Sequence, residues 1–157
     1  IAQSIFDEWF TKNHFGYCEW GMSLDKVKSK IDHNNIIYES KAFVLTLEKF
    51  GLKENKRLYM LYIFEDKNHT LYRGLVYSTF KEQYFLGFKE IINALSNTYG
   101  KPKVINKSYA KWVLSDTIVE LRMGKNIHIA DVYNKSSFIN EPPRQLLGRF
   151  IQEYQRN

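Results

Sequence analysis

Residues 57–65 read RLYMLYIFE, and apolar side chains fill both the odd and the even positions. A strand alternates its side chains between two faces, so a half-exposed strand should alternate apolar with polar. Here Leu58, Met60, Tyr62 and Phe64 fall on one face, and Tyr59, Leu61 and Ile63 on the other. Such a strand belongs in the middle of a sheet that is covered on both sides. The turn-forming DKNH follows, then TLYRGLVYS at 70–78, which together predict a hairpin. Counting across that turn places Tyr59, Val76, Leu61, Gly74, Ile63 and Tyr72 on one face. It places Leu58, Tyr77, Met60, Leu75, Tyr62, Arg73, Phe64 and Leu71 on the opposite one.

The cover must come from helices. AQSIFDEWFTKN (2–13) carries Ile5, Phe6, Trp9 and Phe10 at helical spacing. In CEWGMSLDKVKSKI (18–31), Gly21 turns the chain, Ser23 is placed as an N-cap and Asp25 suits the first turn. Leu24, Val27 and Ile31 then face inward, Lys26, Lys28 and Lys30 face water, and Trp20 wedges the corner into the core. Thr79 and Glu82 have capping-box spacing ahead of a stripe from Tyr84 to Tyr99, which Gly100 and Pro102 end. A closing helix starts at the prolines of NEPPRQ, with Leu146, Leu147, Phe150, Ile151 and Tyr154 on one stripe.

AFVLTLEKF alternates as a strand, and YAKWVL, TIVELRM and NIHIADVY form a second meander. A tight turn at Ser115-Asp116 pairs Lys111 with Glu120 and Tyr109 with Arg122 on a wetter face. A two-residue turn at Gly124-Lys125 then aligns Trp112, Val119 and Ala130, as well as Ala110, Leu121 and His128, on the core face. The expected fold is α+β, an antiparallel sheet of six to seven strands built from meanders, with a helix at each terminus. Residues 1–157 form one domain, in which 23–79 and 80–134 each read as a helix followed by a meander.

The chemistry inventory is short. No phosphate loop, dinucleotide fingerprint, zinc-helix pair, nucleophile elbow or CxxC is present, and neither cofactor nor metal is expected. The four histidines are scattered, and His128 reads as a core histidine. Cys18 stands alone, so no internal disulfide forms. No apolar run is long enough to span a bilayer. Ile at position 1 leads us to expect a further N-terminal segment, so the compartment stays open. Basic residues number 23 against 17 acidic ones, and residues 80–157 hold most of the excess. That half could meet nucleic acid, lipid or an acidic protein, or be only a solvated surface.

Aromatic residues make up 16% of the chain, enough to fill a core and decorate a surface as well. Four helices would be hard pressed to cover both faces of the sheet. A part-open face carrying Tyr59, Tyr72 and Arg73, with Tyr109 and Arg122 second, is the expected ligand, protein-partner or dimer surface. Single-stranded nucleic acid stacks on such faces, but the glycine-aromatic run of RNA-binding sheets is missing.

EWGMSLDKVKSKI (19–31) resembles the opening of a widespread group of bacterial α+β domains that begin with a Trp-Gly-Met-Ser helix start. LSNTYGKPKV (95–104) and the tryptophan strand AKWVL extend that likeness over residues 15–134. More distantly, Gly21, Ser23 and Val27 are similar to small lipoprotein domains of the BamE/SmpA type. Those domains place a glycine-led helix before a short antiparallel sheet and act as non-enzymatic envelope scaffolds. This chain departs from them in length and in its extra meander, and no catalytic residue carries over. The resemblance implies a non-enzymatic binding or scaffold domain of a bacterial protein, exported or envelope-associated. The alternative is an intracellular interaction protein using its basic C-terminal half, with Arg144 and Arg149: an immunity protein, a phage-encoded inhibitor or a nucleic-acid binder.

Overall fold

The structure, a computed structural model, describes residues 10, 14–50, 56–79, 88–124 and 127–156. Eight antiparallel strands form one open sheet, in an α+β arrangement with three helices among the described residues. Ser23 caps α1 (Leu24–Lys30) by accepting from the Lys26 amide, and only Val27 of this helix is fully buried. DHNN then makes a single 3-10 turn (His33–Asn35), in which the Asp32 side chain accepts from the Asn34 amide. The first meander follows as β1 (Ile36–Glu39), β2 (Phe43–Phe50), β3 (Lys56–Phe64) and β4 (Leu71–Thr79). After α2 (Phe88–Tyr99) comes the second, as β5 (Val104–Ile105), β6 (Tyr109–Val113), β7 (Thr117–Met123) and β8 (Ile127–Asn134). The chain closes with α3 (Pro143–Arg156).

The spatial order is β1-β2-β3-β4-β8-β7-β6-β5. Each meander therefore starts at an outer edge and ends at the centre, where β4 pairs antiparallel with β8. β3 is an interior strand, as its two apolar faces require. One face packs against α1 and α2, around Met60, Tyr62, Val76, Leu95, Trp112, Val119 and Val132. The other packs against Leu146, Leu147 and Phe150 of α3, around Phe43, Leu45, Leu61, Ile63, Leu75 and Tyr77. Burying each large side chain of this kind stabilises the fold by roughly 1.5–3 kcal/mol.

Three expectations need correction. The first concerns strand parity in the β3–β4 hairpin. Ile63 pairs with Arg73 but Phe64 pairs with Leu71, so Tyr72 is the extra residue of a β-bulge. The bulge follows a turn in which His69 takes a positive φ of 54°. Past it the parity reverses, and Tyr59 lies opposite Tyr77, not Val76. Tyr59, Tyr72 and Arg73 thereby come to the same face.

The second concerns register. The Ser115-Asp116 turn is as expected, closed by the Leu114 amide on Thr117 O. In β7–β8, however, the Gly124 amide donates to Ile127 O, so Gly124 belongs to the ladder and is not a turn residue. Val119 therefore meets Val132, Leu121 meets Ala130, and His128 lies opposite Met123.

The third concerns strand number. β1 and the two-residue β5 were not expected as strands, and they make the edges of the sheet. Thr79 ends β4 opposite Ile127, and the rest of the expected capping box lies outside the described residues.

The expected helix at 2–13 and the residues around Glu82 and Tyr84 lie outside the described residues, apart from Phe10. That ring is buried and meets Tyr99 edge-on, with centroids 6.4 Å apart. Trp20 is half-buried and donates its indole N–H to Thr117 Oγ1 at 2.8 Å, fixing the corner before α1 to the second meander. Among the described residues no helix is long and apolar enough to cross a membrane.

Candidate functional site

Alternation along β6 and β7 leaves one side chain in two buried and the next half-buried. The buried set faces α1 and α2. The half-buried set, on the α3 side of the sheet, is Tyr109, Lys111 and Val113 on β6, and Ile118, Glu120 and Arg122 on β7. The apolar cluster under α3 reaches only as far as Ile127 and Ile129 of β8, so this half of the face is part-open.

Glu120 is its centre. Register sets Tyr109 opposite Arg122, Lys111 opposite Glu120, and Glu120 opposite Asp131 of β8. The Tyr109 hydroxyl donates to Glu120 Oε2 in a short hydrogen bond. Tyr133 donates to Oε1 at 2.8 Å, and Arg122 Nη2 donates to Oε2 at 3.1 Å. The Arg122 guanidinium also lies over the Tyr109 ring, 5.1 Å from its centroid. Burial alone would raise the Glu120 carboxyl, but the two tyrosine hydroxyls, Arg122 and Lys111 outweigh it and hold it below its ordinary value. Burial, followed by the bond to Glu120, pushes the Tyr109 phenol up to about 12, and Tyr133 rises for the same reasons. At neutral pH Glu120 has given up its proton and both tyrosines keep theirs, so the trio holds a fixed negative charge between two hydroxyls.

Two acids side by side on adjacent strands require neutralisation. Arg73 supplies it from β4. Its Nε and Nη2 donate to the two Asp131 oxygens, both at 2.8 Å, and Nη1 donates to Glu141 O at 2.8 Å. Arg73 and Asp131 are only 1% and 2% exposed. Burial works against the charge on Arg73, and the Asp131 bonds more than compensate, so Arg73 stays protonated. Two ion pairs, Arg73 with Asp131 and Arg122 with Glu120, thus lie in line across β4, β8 and β7. A hollow of about 300 Å³ lies against this line, between it and residues 139–143.

The expected surface residues separate into three places. Arg73 is fully buried and committed, so it positions other groups and is not itself a contact residue. Tyr59 stacks on Tyr77, with centroids 5.2 Å apart, and packs against the α3 cluster. Tyr72 lines a separate hollow with Asp66, Asn134 and Arg149. Tyr109 and Arg122 do come together, as the count across Ser115-Asp116 required. Sequence reasoning missed Asp131 and Tyr133 as partners. The signal was available, because a lone Asp in the apolar strand IHIADVY is a charge that burial forces into a pair. His128 is half-buried on the other face, its pKa lowered by burial. Among the described residues no group of His, Cys, Asp and Glu is arranged to hold a metal ion.

Comparison with protein families finds no family model that matches, and comparisons with curated proteins and with solved structures find no match either.

The Glu120 network makes stability pH-dependent. A carboxyl whose pKa is lower folded than unfolded contributes stability that is present above the ordinary carboxylate range and lost as pH falls through it. Melting curves of the wild-type protein should therefore fall more steeply between about pH 5 and pH 3 than those of Glu120→Gln. Parallel curves would show that Glu120 is not held ionised by its partners.

Proposed function

We propose that this protein is a non-enzymatic binding domain, and that a protein partner docks on the part-open sheet face over β6–β8. One observation carries the reading: the half-buried Tyr109 and Arg122 of this face, with Tyr133 beside them, are already locked in place by bonds to Glu120. Tyrosine and arginine are the residues that most often dominate interfaces, and side chains held before contact lose little entropy on binding. The proton states of Glu120, Tyr109 and Tyr133 at neutral pH also suit recognition better than acid–base catalysis. The distant resemblance of Gly21, Ser23 and Val27 to non-enzymatic small-lipoprotein scaffold domains agrees with this reading. Nucleic-acid binding is less well supported, because Arg122 already covers the Tyr109 ring and a carboxylate sits where phosphates would pass.

The test places a photo-crosslinking side chain at Val113, on the open face, or at exposed Lys26 of α1, in the full chain. The expected result is a discrete crosslinked species from position 113 that is lost on adding Lys111→Glu, with none from position 26. Equal crosslinking from both positions, or none from 113, overturns the proposal.

A further inference from the structure

At the end of the β7–β8 hairpin, the first turn of α3 approaches the start of β6. Between them lies a hollow of about 430 Å³, a size that suits a small organic group. Its lining includes two arginines, Arg122 and Arg144, and no carboxylate. Ile127, Ile129 and Pro143 supply apolar walls, and Ser108 a hydroxyl.

Both arginines are placed in unusual ways. A Cβ on Gly124 would fall 2.1 Å from Arg144 Nη2, so the Arg144 fork occupies space that only glycine leaves over the hairpin end. Arg144 joins none of the ion pairs among the described residues. Arg122 shares Nη2 with Glu120, yet its Nη1 is buried and finds no hydrogen-bond acceptor among the described residues. A buried charged donor without an acceptor is costly, and such groups usually await an ion, water or ligand. Glu120 already accepts from the Tyr109 and Tyr133 hydroxyls and from Arg122 Nη2, and none of these bonds involves Nη1.

We propose that this hollow binds an oxyanion, carboxylate or phosphate, carried on an apolar body, with Arg122 and Arg144 holding the anion. The planar guanidinium fork matches either group, and the isoleucine and proline walls take the body. The inference deepens the partner-binding reading and rests on it, since the hollow opens at the border of the same face. It names the chemistry that a partner must present there. A protein segment with an acidic residue beside an aromatic one carries that chemistry, and so does a free aromatic acid.

The test titrates the full chain with benzoate, phenyl phosphate and the neutral benzyl alcohol, following amide signals of Ser108 and Gly124 by NMR. Saturable shifts are expected with at least one of the two anions and none with the alcohol. Arg144→Gln should weaken binding by about ten-fold, the loss of one charge-assisted contact. Gly124→Ala should weaken it as well by displacing the same fork, and this variant is needed because Arg122→Gln also disturbs Glu120. A blocked tripeptide with Glu between two Phe residues separates the sources. Tighter binding of the peptide assigns the anion to a protein partner, and tighter binding of benzoate assigns it to a free acid. Either result supports the site.

No binding of any anion, equal binding of the alcohol, or unchanged affinity in Arg144→Gln overturns it. If crosslinking from position 113 persists in Arg144→Gln while no anion binds, the anion site fails and the face remains. If anions bind and crosslinking is absent, the face fails and the site remains.

Discussion

Asp131→Ala should destabilise the protein by about 3–5 kcal/mol in urea unfolding, because it leaves the Arg73 guanidinium charged and unpaired in the interior. Both side chains are almost wholly buried, and three Arg73 nitrogens are engaged, so no water layer stands by to solvate the orphaned charge. Arg73→Ala should cost a similar amount for the converse reason. The double variant Arg73→Met with Asp131→Leu should recover most of the loss, since a buried ion pair is worth little more than a well-packed apolar pair. This non-additivity separates a desolvated pair from two independent contributions. Single substitutions costing less than about 1 kcal/mol would mean that the pair behaves as an exposed one. The Arg73 bond to Glu141 O adds a second readout, because residues 139–143 should become less protected from hydrogen exchange in the single variants.

The elements themselves were largely readable in the sequence, because each rests on local signals. The double apolar face of residues 57–65, the Ser23 cap, the αL glycine at 100 with φ 86°, and the Pro143 start of α3 all hold. What could not be read is pairing that depends on a single backbone irregularity. One extra residue at Tyr72 inverts the parity of everything beyond it in β4, which separated Arg73 from Tyr59 on paper. Shifting the β7–β8 register by two leaves the parity intact. The core face therefore survived that error, while the cross-strand partners did not. β1 and β5 are short edges whose apolar positions are half-buried or exposed, so they carry too little alternation to announce themselves.

The candidate site was half legible. Tyr109, Arg122 and Glu120 fall within one hairpin, where register follows from the Ser115-Asp116 turn. Arg73 and Asp131 are 58 residues apart, and they meet only because the last strand of each meander pairs at the centre of the sheet. No local pattern encodes that junction. The Arg144 seat over Gly124 needs yet another long-range event, the return of α3 across the sheet.

That return gives the second large effect. Phe150→Ala should cost about 3–5 kcal/mol, the range for emptying a fully packed aromatic site. Phe150 is 2% exposed and meets Phe43 at 5.2 Å and Tyr38 at 5.6 Å between centroids. The helix it anchors has 14 residues, near the length at which an isolated helix is marginal in water. Loss of this anchor should therefore loosen α3 before the sheet unfolds. Its other ties include Leu146, Leu147, the Tyr154 ring stacked on Tyr38, Arg149 over the Phe43 ring, and the hydrogen bonds of Tyr38 and Ser40 to Glu153. Hydrogen exchange should show α3 amides losing protection ahead of β3 and β4, and dye binding should report the uncovered Phe43, Leu61 and Leu75. Ile151→Ala, 43% exposed on the neighbouring position, should stay within about 0.5 kcal/mol of wild type. Because Pro143 and Arg144 belong to α3, anion binding in Phe150→Ala should fall as the helix loosens, while the Glu120 network on β6–β8 keeps its pH signature. If α3 stayed as protected as the sheet, Phe150 would not be its anchor, and the cost would have to come from the sheet itself.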